Sequence, residues 1–404
     1  MGLDIKKIIN ESDRYNFHSH SQFCDGHDSM EVIAAEAQKK GFTDWGFSPH
    51  GPISVESPCN MASSDMEAYR AEIAKVASRH PSMNIFCGLE ADYINEDDGP
   101  FQTKEKYPWL DYLIGSVHFV PTQTGKPVDV DGSPARFAER LETEFNGDLE
   151  YVVTTFWKQT ADMIEKGGFD IIGHIDKVAG NASSVSPEIE MTPWYREMVD
   201  QVMELVINSG KAVEINTKQR ESTGRFFPHP RYWARLWRAG VPMPINSDTH
   251  YASRADESRR EAAMLLKAIT ALDSDERLTL AVVCNDGSVN TYSRRGVSDL
   301  WHLVSENPEI LAGAAVADKV IGRGAAALMI AGGVRQVYGE IISRSALDLF
   351  KRFPSIKVDF GQIVDRILNR AGDGPCPVEA MTAGVSDIGE CLNLISEFIE
   401  RNQA

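Results

Sequence analysis

The sequence predicts an α/β protein: a barrel of alternating strands and helices, followed by a second, smaller α/β domain. Three observations predict it. Apolar runs of strand length alternate with amphipathic helical stretches from Tyr15 to about residue 272. Histidines and acidic residues recur at the ends of those apolar runs. Near residue 273 the alternation gives way to a hairpin pattern.

Tyr15 and Phe17 flank Asn16 at period two, so His18 and His20 are expected to leave the end of a short strand on one face. Ser29 to Lys40 carries apolar residues at 30, 33, 34 and 37 and stops at Gly41, which predicts a helix with a glycine stop. Strands are predicted at Phe42–Ser48, Asn84–Glu90, Leu110–His118, Phe169–His174, Lys211–Asn216 and Met243–Asp248. Helices are predicted at 65–80, 149–166, 198–209, 230–239 and 261–272. Strands alternating with helices imply a parallel sheet with right-handed crossovers. About seven such units in roughly 250 residues fit a barrel better than an open sheet.

The boundary is placed at 272/273, dividing the chain into a barrel, 1–272, and a domain of normal size, 273–404. Arg277–Cys284, Asn285-Asp-Gly287 and Ser288–Ser293 read as a hairpin with Asp-Gly at its turn. Helices are expected near 297–305, 312–330, 345–351, 361–369 and 386–402, with a strand near 335–342.

Hydrophobic residues make up 42% and charged residues 25%, an ordinary globular composition. The formal charge of −18 argues against nucleic acid and anionic membranes as partners, and means that an anionic ligand needs metal cations or a few well-placed basic groups. Cysteines at 24, 59, 87, 284, 376 and 391 form no Cys-x-x-Cys pair, which fits free thiols and a cytoplasmic location. No secretion signal is recognised, and the apolar stretch 310–334 is interrupted by Asp318, Lys319 and Arg323, so no membrane span is expected.

Seven of the ten histidines fall at or just beyond predicted strand ends: His18, His20, His27, His50, His118, His174 and His250. Glu90 and Asp248 fall there too. In barrels the chemistry sits at the carboxyl ends of the strands. Nine such side chains exceed the needs of one metal and suit two or three ions with a bridging carboxylate, for which Glu90 is the candidate. Imidazole-rich sites with carboxylates favour zinc, iron or manganese. There is no Gly-x-Ser-x-Gly, no Walker-type loop and no dinucleotide fingerprint. His80, His229 and His302 are expected to be structural.

The ordered set His18-Ser-His20, Asp25-Gly-His27, Ser48-Pro-His50, Gly88-Leu-Glu90, Ser116-Val-His118, Gly173-His-Ile-Asp176 and Asn246-Ser-Asp-Thr-His250 resembles the PHP (polymerase and histidinol phosphatase) superfamily, over residues 15 to about 260. Phe47–Pro52, Gly168–Lys177 and Val213–Thr217 are similar to its histidinol-phosphatase branch. The resemblance implies a distorted (β/α)7 barrel with a trinuclear metal centre. It implies one ion on His18, His20, Glu90 and Asp248, a second on His27, His50 and His250, and a third sharing Glu90 with His118 and His174. Asp25 is expected either beside His27 or as a ligand itself.

The implied activity is a metal-dependent phosphoric monoester hydrolase that splits L-histidinol phosphate in histidine biosynthesis by attack of metal-bound hydroxide. Glu90, Asp248 and Arg220 are the catalytic candidates. The alternatives are another small phosphomonoester, an oligonucleotide, or a metal-binding sensor module. Arg220 is the first choice to bind phosphate, since a guanidinium binds it through two hydrogen bonds, with Lys177, Lys218 and Arg254 as further candidates. The sequence leaves the oligomeric state open.

The second domain resembles a family related in fold to cytidine deaminases, through Ala317–Ala326, Val337–Ser343 and Gly374–Glu379. The zinc motifs of a deaminase are absent: Gly322–Ala326 replaces the His/Cys-x-Glu, and Pro375-Cys376 is followed by Glu379 where the second cysteine belongs. A non-catalytic role is expected for 273–404.

Overall fold

The computed structural model describes residues 3–294, 296–369 and 371–403. The chain forms two compact units, Met1–Pro228 with Leu236–Arg259, and His229–Arg235 with Arg260–Ala404. The helix Arg259–Asp273 groups from Arg260 onward with the second unit.

In the first unit, β1 (Tyr15–Asn16), β2 (Asp44–Phe47), β3 (Asn84–Asp92) and β4 (Tyr112–Ser116) run parallel in that order. A short antiparallel hairpin, β5 (Phe119–Pro121) and β6 (Pro127–Asp129), follows β4. The main sheet continues through β7 (Ile171–Ile172) and β8 (Ala212–Val213). After Glu214 the chain runs into β9 (Ile215–Asn216), which pairs in parallel with β10 (Ile245–Asn246). The last strand is tied back to the first. Ser19 bridges Thr249, and the His20 amide donates to Thr249 O at 2.9 Å. Asn246 Oδ1 accepts from the Phe17 amide (2.9 Å), and Asn16 Oδ1 accepts from the Ser247 amide (2.8 Å). This is the curled parallel sheet of a (β/α) barrel with seven strand positions.

Inside, Tyr15, Phe17, Tyr112, Ile114, Ile171 and Ala212 form one apolar layer. Gly46 and Gly88 leave room for the Tyr112 side chain: a Cβ at Gly46 would strike its hydroxyl at 2.1 Å, and one at Gly88 its ring at 2.3 Å. Tyr112 then donates its hydroxyl to Phe17 O at 2.6 Å, so a buried phenol is satisfied below the polar layer. Outside, helices such as Met30–Lys39, Met66–Arg79, Leu149–Lys166 and Pro193–Ser209 bury one stripe each.

The second unit has a five-stranded sheet of β11 (Leu280–Val283), β12 (Val289–Tyr292), β13 (Ala315–Ile321), β14 (Gln336–Ser343) and β15 (Lys357–Val364), in the order β12-β11-β13-β14-β15. The hairpin β11–β12 is antiparallel as expected, and β13, β14 and β15 are parallel. Two predicted helices are corrected. The stretch 312–330 divides into β13 and the helix Arg323–Ala331, because the Gly322 break separates an extended buried run from a helical one. The stretch 361–369 begins as the end of β15, whose Val358 and Phe360 pack on the core from an alternating pattern.

Candidate metal centre

Each barrel strand delivers a polar side chain just past its carboxyl end. His18 and His20 follow β1, His50 follows β2, Glu90 and Asp92 close β3, and His118 follows β4. His174 follows β7, Glu214 lies between β8 and β9, and Asp248 and His250 follow β10. Period-two alternation places His18 and His20, and Glu90 and Asp92, on common faces. Asp248 turns the chain with φ +47°, a left-handed conformation that is unusual outside glycine and that concentrates at functional sites.

Glu90 is the centre of the cluster, with 1% of its surface exposed. Its Oε2 lies 3.1 Å from His18 Nε2, 3.4 Å from His20 Nε2 and 3.2 Å from His50 Nδ1. Its Oε1 lies 2.9 Å from His174 Nε2 and 3.5 Å from His118 Nε2. One carboxylate thus faces two sets of imidazoles, one per oxygen. Asp248 Oδ1 lies 3.1 Å from His20 Nε2 and 3.6 Å from His250 Nδ1. Asp25 Oδ1 lies 3.3 Å from His250 Nε2, 3.6 Å from His20 Nδ1 and 3.9 Å from His50 Nε2.

Four groupings bring donor atoms within 4.8 Å of one another: His20 with Asp25, His50 and His250; His18 with His20 and Glu90; His18 with His174 and Asp248; and His50 with Glu90 and His118. The donor set fits divalent cations. His18 Nε2, His20 Nε2, His50 Nδ1 and Asp25 Oδ1 are buried with no hydrogen-bond partner among the described residues, a state that costs free energy unless a ligand satisfies it.

The electrostatics point the same way. Burial alone would raise the Glu90 carboxyl, but His18, His50, His118 and His174 hold it well below the usual carboxylate range. Burial, with Lys218, His18 and His20 opposing it, leaves Asp248 well below that range too. His20 is pushed well below the usual imidazole range by burial and by His250 and His50. His174 is pushed down by burial and Lys177. In His118 burial is outweighed by Asp92 and Glu90, and its pKa rises to about 9.

Two carboxylates that the sequence reading did not single out hold the imidazoles in place. Glu214 is fully buried and lies 2.9 Å from His18 Nδ1 through Oε2. It also accepts from the His174 amide (2.9 Å) and from Asn216 and Asn246 (2.9 Å each). Asp92 Oδ1 lies 2.5 Å from His118 Nδ1. Carboxylates on Nδ1 fix the proton there and turn Nε2 toward the cluster, as in carboxylate–histidine–metal arrangements. Strand alternation marks Asp92, two residues after Glu90; Glu214 had no signal beyond its strand-end position.

The loop after β1 inverts one expectation. His27 is exposed and stacks on Tyr251 at 4.2 Å between ring centroids, and it belongs to none of the four groupings. Asp25 takes the place expected of His27, beside His50 and His250. The reason is local. The loop doubles back so tightly that a Cβ on Gly26 would meet Ser21 N at 2.2 Å, and the His27 amide donates to His250 O at 2.8 Å. This turns Asp25 inward and His27 outward.

Among the basic candidates, Lys218 reaches the cluster: its Nζ is 3.3 Å from Asp248 Oδ1 and 3.2 Å from His250 Nε2. Lys177 is buried and pairs with Asp131 at 2.7 Å. Arg254 is exposed, 3.7 Å from Glu257 and over the Tyr251 ring. Arg220 has no exposed surface, donates from Nη1 to Gly224 O at 2.7 Å and lies over Phe226 at 4.2 Å, within the helical turn Arg220–Thr223.

A "Histidinol-phosphatase" of Bacillus subtilis (strain 168) is 26% identical over 255 residues, which cover 58% of this chain and 92% of the relative. A Listeria monocytogenes structure provisionally named a histidinol phosphatase superposes with a TM-score of 0.54 at 20% identity, covering 61% of this chain and 99% of that one. The structure of histidinol phosphate phosphatase from Lactococcus lactis subsp. lactis, complexed with zinc, L-histidinol and phosphate, superposes with a TM-score of 0.50 at 18% identity, over 64% of this chain and 94% of that one. At these identities the two structures show the shared fold. Among the described residues no helix is long and apolar enough to cross a membrane. Residues 268–399 match a domain of unknown function, DUF1893. Residues 16–218 match the PHP domain, half of the chain, and the protein belongs to the PHP domain family.

Proposed function

We propose that this chain is a metal-dependent phosphomonoesterase whose substrate is L-histidinol phosphate. The observation that carries the metal-dependent reading is Glu90, a buried carboxylate whose two oxygens face two separate sets of imidazoles. The substrate is inferred from the Bacillus relative and from the Lactococcus structure with L-histidinol and phosphate.

The residues that would hold two or three divalent ions are His18, His20, Asp25, His50, Glu90, His118, His174, Asp248 and His250. Zinc, iron or manganese suits this set of imidazole nitrogens and carboxylate oxygens. When bound, such ions polarise a phosphoryl group and make water nucleophilic near neutral pH. The chain's own part is to hold and orient. Glu214 and Asp92 keep Nε2 of His18 and His118 facing inward. Lys218 puts a cation at the edge of the cluster, where it would bind a phosphate oxygen. Lys177, neutralised in part by Asp131, adds positive field from behind His118 and His174.

All of these groups precede residue 251 and lie in the first unit. The test is a panel of phosphomonoesters, with histidinol phosphate included, on protein loaded with zinc, iron or manganese. The expected result is a kcat/KM for histidinol phosphate at least about 100-fold above that for p-nitrophenyl phosphate, the scale set by polar groups built for one substrate. Equal rates across the panel would refute the substrate. No hydrolysis with any of the three metals would refute the activity.

A further inference from the structure

We propose that the second unit carries a binding site for a small organic cation, an amine on an apolar body, with Asp318 as its counter-ion. The site is a cavity of about 920 Å³, within the usual size range for small-molecule pockets. Its walls are largely apolar and include Leu280, Leu300, Val378 and Phe398. Leu368, 53% exposed, stands at its edge.

Four acidic or basic groups in the wall are already committed. Glu379 accepts from Ser345 Oγ at 2.5 Å and from the Ile367 amide at 2.7 Å. Asp299 accepts from the Arg294 amide at 2.9 Å and lies 3.7 Å from Arg294 Nε. Lys319 Nζ donates to Glu276 O at 2.6 Å.

Asp318 differs. It sits in β13, paired with Leu280 on one side and Gly339 on the other, and only 8% of it is exposed. Its Oδ1 accepts from the Val320 amide at 2.9 Å, and its Oδ2 has no hydrogen-bond partner among the described residues. A carboxylate so placed, on the wall of a largely apolar cavity, makes a single hydrogen bond and no ion pair among the described residues. A protonated amine seated in the cavity would supply the counter-charge, while the apolar walls take the rest of the molecule. In keeping with this, burial and the nearby Glu340 push the Asp318 carboxyl up to about 7. A neutral or anionic ligand of the same shape would leave the charge unpaired or repel it, so the site discriminates by charge.

The experiment is calorimetric titration of the full-length protein with 2-phenylethylamine and histamine, against 2-phenylethanol as the neutral counterpart and 3-phenylpropionate as the anionic one. At least one amine is expected to bind at least about tenfold more tightly than the alcohol, with no binding of the propionate. Asp318→Asn is expected to reduce amine binding to the level of the alcohol. Leu368→Trp, an edge substitution that leaves the sheet intact, is expected to weaken the amine and the alcohol alike by at least about tenfold. Binding is expected to persist in Asp248→Asn, which separates this cavity from the metal centre. Both second-unit variants should hydrolyse p-nitrophenyl phosphate like the parent. Equal affinity for amine and alcohol, undiminished amine binding in Asp318→Asn or Leu368→Trp, or no binding of either amine at millimolar concentration would overturn the proposal. Should Asp318→Asn fail to fold, the charge comparison in the parent and the Leu368→Trp titration decide the question.

Discussion

Replacing Glu90 by glutamine keeps the side chain's size and removes one negative charge from the middle of the cluster. Five imidazole nitrogens lie 2.9 to 3.5 Å from its two oxygens. In the proposed centre each oxygen serves a different ion, so one substitution weakens two ion positions together. An amide nitrogen in place of either oxygen also turns a donor toward nitrogens that are needed as acceptors. Loss of one preorganised electrostatic group costs catalysis about 100- to 1000-fold. At 1.36 kcal/mol per decade, the lower figure is about 2.7 kcal/mol of transition-state stabilisation. The side chain is almost completely buried and isosteric with glutamine, so the barrel should still fold, as circular dichroism would check. The assay pairs phosphatase turnover with metal content by plasma mass spectrometry. Turnover should fall at least about 100-fold, and at least one equivalent of metal should be lost at limiting metal. Turnover near that of the parent with metal content unchanged would refute the bridging role.

Other perturbations separate holding from positioning. Glu214→Gln and Asp92→Asn should each weaken metal affinity by about 10- to 100-fold, with activity recovered at high metal concentration, because they orient His18 and His118 from behind; activity unchanged at limiting metal would contradict this. His27→Ala should leave metal content intact and change turnover less than about threefold, while Asp25→Asn should lower both by at least the tenfold that an outer partner costs; the reverse order, read by the same two assays, would place His27 in the centre. Arg220→Met should lower the melting temperature while leaving KM for phosphomonoesters close to the parent value, since the guanidinium packs on Phe226 and bonds Gly224. Asp318 sets a pH dependence. Its folded pKa of about 7 exceeds the unfolded 3.8, so the folded state binds more protons between them. Its contribution to stability is full below about 3.8, is lost as pH rises to about 7, and amounts at most to on the order of 4 kcal/mol. Asp318→Asn should flatten that slope in denaturant titrations from pH 4 to pH 8, and an unchanged slope would refute the assignment.

How much of this was legible in the sequence depends on what specifies each part. The strand-end histidines were legible because strand periodicity and barrel topology place such residues at one mouth: His18, His20, His50, His118, His174, Asp248 and His250 all fall there, around Glu90. The choice between Asp25 and His27 was not, because a loop has no period. It is settled by the close approach of Gly26 to the Ser21 backbone, which is a tertiary fact. Glu214 and Asp92 were hidden for a similar reason: an acid at a strand end reads alike whether it holds an ion or a histidine. Arg220 looked available by position, but its aromatic neighbour Phe226, six residues later, folds over it. In the second unit, Ala315–Ile321 looked helical because a short, mostly apolar run broken only by Asp318 and Lys319 carries no period that separates a buried strand from a buried helix.

The most direct measurement of the central claim is anomalous diffraction from crystals of the full-length protein grown with manganese or zinc and collected at the metal edge. The account predicts at least two anomalous peaks flanking Glu90, one within about 2.3 Å of each carboxylate oxygen, with His18, His20 or His50 on one side and His118 or His174 on the other. A single peak that touches one oxygen alone, or peaks with no contact to Glu90, would contradict it.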